Sequence, residues 1–260
     1  MKQHIIIFIL GLLATCPVIN ASELTAAADS AYLGKNYIEA AKLYQAEIDS
    51  VGPSSALYYN IGNCYYRTGS IPRAILNYER ALKLNPRNKD AKANLDFINS
   101  RLTDRPGERG TFLGSVVDAV ASTFSANAWA IIAIVCFALF GAGVLLYFFA
   151  GGVHAQKTGF FGGGIMLLLA IVAVIFGLRA AALASATDRA VVIAPSVILS
   201  TAPRVPTSAA EEAFMLHEGS IVEILDEVNV KNGNETTTWL DVEFDNSHRA
   251  WINADAVEVI

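Results

Sequence analysis

The sequence predicts three kinds of structure in one chain: an all-α repeat array, an apolar helical hairpin that spans a membrane, and a small all-β barrel. Three observations carry this. Residue types between Ala21 and Leu102 recur at a spacing of 34. Two uncharged runs, Ala128 to Phe149 and Gly159 to Leu178, lie close together. From Asp188 onward, short alternating segments are separated by tight turns. The composition agrees. Of 260 residues, 53% are hydrophobic, high for a soluble chain, and the excess is concentrated in the two uncharged runs.

The repeat is read from matched pairs: Leu24 and Tyr58, Tyr32 and Tyr66, Tyr37 and Ile71, Ala40 and Ala74, Tyr44 and Tyr78, Ile48 and Leu82. Ser55 to Asn88 forms the clearest unit, with Tyr58, Ile61-Gly62 and Tyr65 in a first helix and a turn at Gly69-Ser70. Ala74, Tyr78 and Ala81 follow in a second helix, and Pro86 closes it. Small residues sit where helices cross, and aromatic ones fill the wider gaps. This pattern resembles the tetratricopeptide repeat, a helix–turn–helix unit of 34 residues. Ala21 to Ser54 is a weaker copy. Its turn, Gly34-Lys35-Asn36, has the glycine one place early, Glu47 stands where the second copy has Ala81, and Pro53 comes one place late. Lys89 to Leu102 supplies one further helix, with Leu95 and Ile98 inward and Lys89, Asp90, Lys92 and Arg101 outward, as an array's terminal cap requires. Residues 22–102 are therefore expected to form a five-helix solenoid.

Residues 1–21 read as a secretion signal: Lys2, an apolar run from Ile5 to Ala14, then small residues before a cleavage point after Ala21. Leu13-Ala14-Thr15-Cys16 leaves a second reading open, a lipid-bearing Cys16. Residues 103–127 are a linker. Pro106-Gly107 breaks the chain, and Leu113, Val116, Val117, Val120 and Phe124 fall at helical spacing. That helix either lies on a membrane surface or packs against the last repeat. A helix over 128–149 is roughly 33 Å long, enough to cross a bilayer, and 159–178 is a second such run. Residues 150–158 join them as a short cytoplasmic loop, which forces an antiparallel hairpin. Ala138 with Ala142, and Gly159 with Gly163, are the small residues expected at the crossing. Counting crossings from the exported start puts the repeats and the C-terminal part on the outer side. The basic residues give this layout little support, since Arg101, Arg105 and Arg109 fall outside and the loop holds only His154 and Lys157.

Asp188 to Ile260 carries 13 acidic residues against 4 basic ones. Strands are expected over Ala190–Leu199, Ile221–Leu225, Trp239–Phe244 and Ala256–Ile260, with turns at His217-Glu218-Gly219, Asn232-Gly233 and Asp245-Asn246-Ser247. The run from Phe214 to Leu225, and the pair Trp239-Leu240-Asp241-Val242 and Arg249-Ala250-Trp251-Ile252, resemble bacterial SH3 domains. Ala250 stands where that family has glycine. Residues 188–260 are thus expected to form an SH3-like barrel, either binding a partner or stacking on the hairpin.

Signal, short tetratricopeptide array, membrane hairpin and SH3-like domain, in this order, resemble the BatE proteins of the Bacteroides aerotolerance operon. Trp129 at the entry to the first span and the Leu216-His217-Glu218-Gly219 turn add to the likeness. The resemblance implies an inner-membrane, multi-pass protein with both soluble parts in the periplasm. It also implies von Willebrand factor A-type membrane partners and a setting of oxygen or stress tolerance.

No catalytic constellation is present in the sequence. His217 and His248 lie in turns without a nearby cysteine, Gly162-Gly163-Gly164 lacks the lysine of a nucleotide loop, and no basic aromatic face argues for nucleic acid. Cys64 reads as a small buried hydrophobe. No cofactor, metal or small-molecule substrate is expected, and the chain reads as non-enzymatic. By the packing of the tetratricopeptide family, Asp29, Tyr32, Tyr59, Asn63, Tyr66, Arg67, Phe97 and Arg101 point into the inner curve of the array. Tyrosine offers apolar area with a hydroxyl, and arginine holds a carboxylate through two hydrogen bonds. The expectation is a scaffold that recruits a protein partner. The alternative is an envelope sensor whose SH3-like domain binds cell-wall peptide.

Overall fold

The computed structural model describes residues 22–105, 112–232 and 235–260. The signal segment with Cys16, the Pro106-Gly107 break and Gly233 of the expected Asn232-Gly233 turn lie outside these. Five helices open the described chain: α1 (Glu23–Leu33), α2 (Tyr37–Val51), α3 (Ser55–Arg67), α4 (Ile71–Leu84) and α5 (Lys89–Asn99). Side chains at three starts satisfy amides that helix geometry leaves free. Ser22 Oγ accepts from Thr25 N, Ser54 Oγ from Leu57 N, and Asn88 Oδ1 from Ala91 N, at 3.0–3.2 Å.

The irregularities of the first repeat have physical explanations. Gly69 ends the first helix of the second repeat at φ 81°, and Lys35, 34 residues earlier, takes the same left-handed conformation at φ 61°. The early glycine thus leaves a lysine to bear the strain. Glu47 is buried and accepts a hydrogen bond from the hydroxyl of Ser22. A carboxylate is therefore tolerated where the next repeat has Ala81, because a cap residue answers it. Gly62 is held by close approach, since a Cβ there would lie 2.7 Å from the ring of the fully buried Tyr78.

Beyond the array come α6 (Phe112–Ala121), α7 (Ala126–Phe149) and α8 (Val153–Ser185). Both α7 and α8 are long and apolar enough to cross a membrane. They pack as an antiparallel pair. Helix α8 begins at Val153, so the connection is Ala150–Gly152 rather than nine residues. It also continues past Arg179 to Ser185. The crossing differs from expectation on one side. Gly159 and Gly163 are buried, but their partner is Gly143, while Ala138 and Ala142 face outward. A Cβ on Gly143 would lie 2.8 Å from Gly163 Cα, and one on Gly159 would lie 2.6 Å from Gly143 O. Backbone meets backbone there, which fixes glycine on both helices. Helix α6 lies against α8. Asp118 accepts from Arg179 Nε at 2.7 Å and from Nη2 at 3.0 Å.

The C-terminal part is a curled antiparallel sheet. Its strands are β1 (Arg189–Val192), β2 (Ser196–Ser200), β3 (Glu212–His217), β4 (Ile221–Asn232), β5 (Glu235–Asp245), β6 (His248–Asn253) and β7 (Val257–Val259), in the order β3-β2-β6-β5-β4-β1-β7. The strand expected over Ala190–Leu199 is two strands, with Pro195 in the break between them, where a residue lacking an N–H cannot continue a ladder. A bulge between Ile224 and Asp226 breaks the β4–β5 register. Alternate residues such as Val222, Leu240, Val242, Ala250 and Ile252 fill one core.

The sheet does not stand apart, and its main support is the repeat array rather than the hairpin. Val191 and Ile260 join Ile75, Leu95 and Ile98 in one apolar cluster. The β3–β4 turn presses on the array: a Cβ at Gly219, which has φ 87°, would lie 2.8 Å from Ile75 Cδ1 and 3.0 Å from Leu102 Cδ2. Polar contacts frame this seam. Asp104 accepts from the His217 amide at 2.6 Å and from Ser220 Oγ at 2.7 Å, and lies 3.0 Å from His217 Nδ1. Arg80 donates to Val259 O at 2.6 Å, Arg189 pairs with Glu79 at 3.2 Å, and Lys83 donates to the carbonyls of Ala186 and Ile260.

Candidate functional site

The first helices of successive repeats, α1, α3 and α5, stand side by side, and the eight residues expected on the inner curve lie on them or just beyond α5. They divide by what they touch. Asp29 Oδ1 accepts from Tyr44 Oη at 2.5 Å, and Asn63 Oδ1 accepts from Tyr78 Oη at 2.8 Å. Both bonds join positions 34 apart, so this is one contact used twice, tying the first helix of each repeat to its second. Asn94 extends it, donating to Asn63 Oδ1 at 3.1 Å and to Tyr78 Oη at 3.2 Å. Burial and the Asp29 bond raise the Tyr44 hydroxyl above its ordinary value, and burial raises that of Tyr78. These phenols stay protonated and act as donors. Asp29 and Asn63 therefore act in the scaffold, and Asn94 is the member of this network that sequence reading passed over. It occupies the first-helix position corresponding to Asn60.

Tyr32 and Tyr59 are half-buried. Tyr32 packs edge-on to Tyr37 with ring centres 5.2 Å apart, and Tyr59 lies 6.1 Å from Tyr78. The other four are exposed and lie together. The ring of Tyr66 meets Phe97 edge-on at 6.4 Å, and the Arg101 guanidinium lies 3.6 Å above Phe97. The Tyr32 hydroxyl, hydrogen-bonded to the guanidinium, raises the Arg67 value. Neighbouring first helices are thus bridged by Tyr32 with Arg67, from α1 to α3, and by Tyr66 with Phe97, from α3 to α5, while Arg101, just beyond α5, covers Phe97. Exposed aromatic rings beside two guanidinium groups offer apolar area and anion-binding donors on one surface.

A second concavity, of about 690 Å³, shares none of these residues. It lies on the side of α2 and α4 and is lined by Lys42, Gln45, Asp49, Arg73 and Asn77, with Glu258 from the sheet at its margin. Its charge is mixed, and Arg80 is already engaged by Glu258 at 3.4 Å. Cys64, also at its wall, is buried, and burial pushes its thiol up to about 11, so it stays protonated and unreactive.

Among the described residues, no group of three or more His, Cys, Asp or Glu side chains is arranged to hold a metal ion. Residues 55–88 match the tetratricopeptide repeat. The matched stretch runs from the start of α3 through α4 to Asn88, the cap of α5. No curated protein matches the chain. Tetratricopeptide repeats are typically non-enzymatic and mediate protein–protein contacts, which is the use the exposed surface fits.

Proposed function

We propose that the chain is a non-enzymatic, membrane-anchored scaffold whose repeat array captures a protein partner along the face of α1, α3 and α5. The observation that carries this reading is the exposed Tyr66–Phe97–Arg101 group beside Arg67, on a framework already satisfied by the Asp29, Asn63 and Asn94 hydrogen bonds. Exposed aromatic rings, with arginines that have no carboxylate partner among the ion pairs of the described residues, suit an extended segment bearing carboxylates. The apolar α7–α8 pair serves as the anchor, spanning the inner membrane twice. The array and the SH3-like sheet then lie together on the periplasmic side. The resemblance to BatE proteins is what suggests an envelope complex linked to oxygen or stress tolerance as the setting, with von Willebrand factor A-type membrane proteins as the partners to look for.

The docking of the sheet favours the scaffold over a wall-binding sensor. The Leu216–Gly219 turn, one of the features that carries the SH3 resemblance, is turned toward Ile75, Leu102 and Asp104 rather than toward solvent. The test is co-purification from native membranes in mild detergent, comparing the natural chain with Arg67→Ala/Arg101→Ala. These two side chains are exposed, so their loss leaves the fold intact, whereas Tyr59→Ala also removes packing around Tyr78. The proposal expects a partner that is lost in the double variant. Unchanged recovery with the folded double variant refutes this face as the site.

A further inference from the structure

We propose that α6 is an interfacial helix whose apolar face lies in the headgroup–acyl boundary of the bilayer and fixes the tilt of the repeat array. This rests on the reading of α7 and α8 as membrane spans. Leu113, Val116, Val117 and Val120 follow the i, i+3, i+4, i+7 spacing of one helix face, and all four are exposed, Leu113 by 76%. The opposite side of the helix is held. Ala121 is fully buried and its carbonyl accepts from Trp129 Nε1 at 2.9 Å. Asp118 takes both bonds from Arg179.

What covers the exposed face follows from its level along the hairpin. Helix α8 is roughly 50 Å long against a hydrocarbon core of about 30 Å, so its ends project. Arg179 is the one charged residue between Lys157 and Asp188 and marks the boundary on the array's side. Trp129, near the start of α7, stacks on Phe176 at 5.5 Å at that same level, where indole rings favour the interface. Helix α6 is tied to both Trp129 and Arg179. Its apolar face therefore lies at the same end of the hairpin as the exposed Leu178 and Ile131, which adjoin Arg179 and follow Trp129 in the sequence. Asp118 neutralises Arg179 at the depth where an unpaired charge is costly. On the other side, Phe124 meets Trp129 edge-on at 5.3 Å and the Arg87 guanidinium, from the array, at 5.1 Å. The array, α6 and the hairpin end thus share one joint.

The test uses the full chain, with its three cysteines replaced by alanine, in vesicles of phosphatidylethanolamine and phosphatidylglycerol. Single nitroxide labels go at Leu113, Val116, Val117, Val120 and Ala119, with Ile134 and Leu168 on the hairpin and Ile38 on the array as references. Collision rates with oxygen and with a water-soluble nickel chelate give the depth of each label. The expected result is oxygen preference at all four apolar positions, shallower than Ile134 and Leu168, with chelate preference at Ala119 and Ile38. Chelate access at the four positions equal to that at Ile38 overturns the proposal. So does exclusion of both colliders there, which signals a protein partner or a second copy. Water exposure at Ile134 and Leu168 overturns the membrane reading, and this proposal falls with it. Lipid exposure at Ile134 and Leu168 with water exposure on α6 overturns this proposal alone.

Discussion

Asp104 offers the sharpest test of how the sheet is held on the repeats. Its side chain is 15% exposed and satisfies the His217 amide, the Ser220 hydroxyl and the His217 ring at 2.6–3.0 Å. Hydrogen bonds to a charged group contribute about 1.5–3 kcal/mol each when taken singly, and members of one network are not additive. Asp104→Ala is therefore expected to cost about 2–3 kcal/mol of docking free energy. That raises the undocked population roughly 30- to 150-fold at 1.4 kcal/mol per factor of ten. Hydrogen exchange on the full chain in detergent reads this directly. The His217 amide loses its acceptor in any case, so the informative peptides are those of α4 and α5, whose apolar cluster continues into Val191 and Ile260. Exchange there accelerates by that factor, while α1 and α2 stay unchanged. Unchanged exchange in α4 and α5 would refute the argument that the clasp secures the seam.

Acid acts on the same clasp. Burial tends to raise the Asp104 carboxyl, but the bonds from the His217 amide, Ser220 and the His217 ring outweigh it and hold the group below its ordinary value. Its contribution is then complete above the unfolded value of about 4 and is lost as pH falls through the depressed folded value. Asp104→Asn should flatten the acid limb of a thermal-denaturation series, and an identical limb would contradict this. Lys35→Gly removes a left-handed lysine and should stabilise the array by about 0.5–1 kcal/mol in a denaturant titration, since the relief of about 1–2 kcal/mol exceeds the added freedom of the unfolded glycine. A loss of stability would show that Lys35 is unstrained. Gly143→Leu places a side chain where backbone lies 2.8 Å away, so it should separate α7 from α8 and expose the hairpin to proteolysis in detergent micelles, whereas Ala142→Leu should not.

How much of this was legible in the sequence depends on the range of the cause. The repeat and its five helices were, because caps, turns and small-residue crossings act within one 34-residue unit. The inner-curve assignment of Tyr66, Arg67, Phe97 and Arg101 came from the packing that the tetratricopeptide resemblance implies. The period carried no information on which of the eight candidates serve the framework. Asp29, itself exposed, and the half-buried Asn63 are set apart from the other candidates by the bonds they accept from the hydroxyls of Tyr44 and Tyr78. In the hairpin, Ala138, Ala142 and Gly143 are all small, but only glycine lets the backbone approach as closely as it does at Gly159 and Gly163. The seam was hidden because Asp104 lies 113 residues from His217, in a stretch whose composition reads as linker. Pro195 divides the first expected strand, but the apolar run on both sides of it reads as one strand until the pairing partners of each half are known.

A partner bound along the face of α1, α3 and α5 would lie within reach of Tyr66. A photo-crosslinking amino acid placed at Tyr66, and separately at Lys42 in the cleft beside α2, tests this in native membranes. The expected result is a protein adduct from Tyr66 that disappears in the Arg67→Ala/Arg101→Ala background, and none from Lys42. An adduct from Lys42 alone would contradict it and move the binding site to the opposite face of the array.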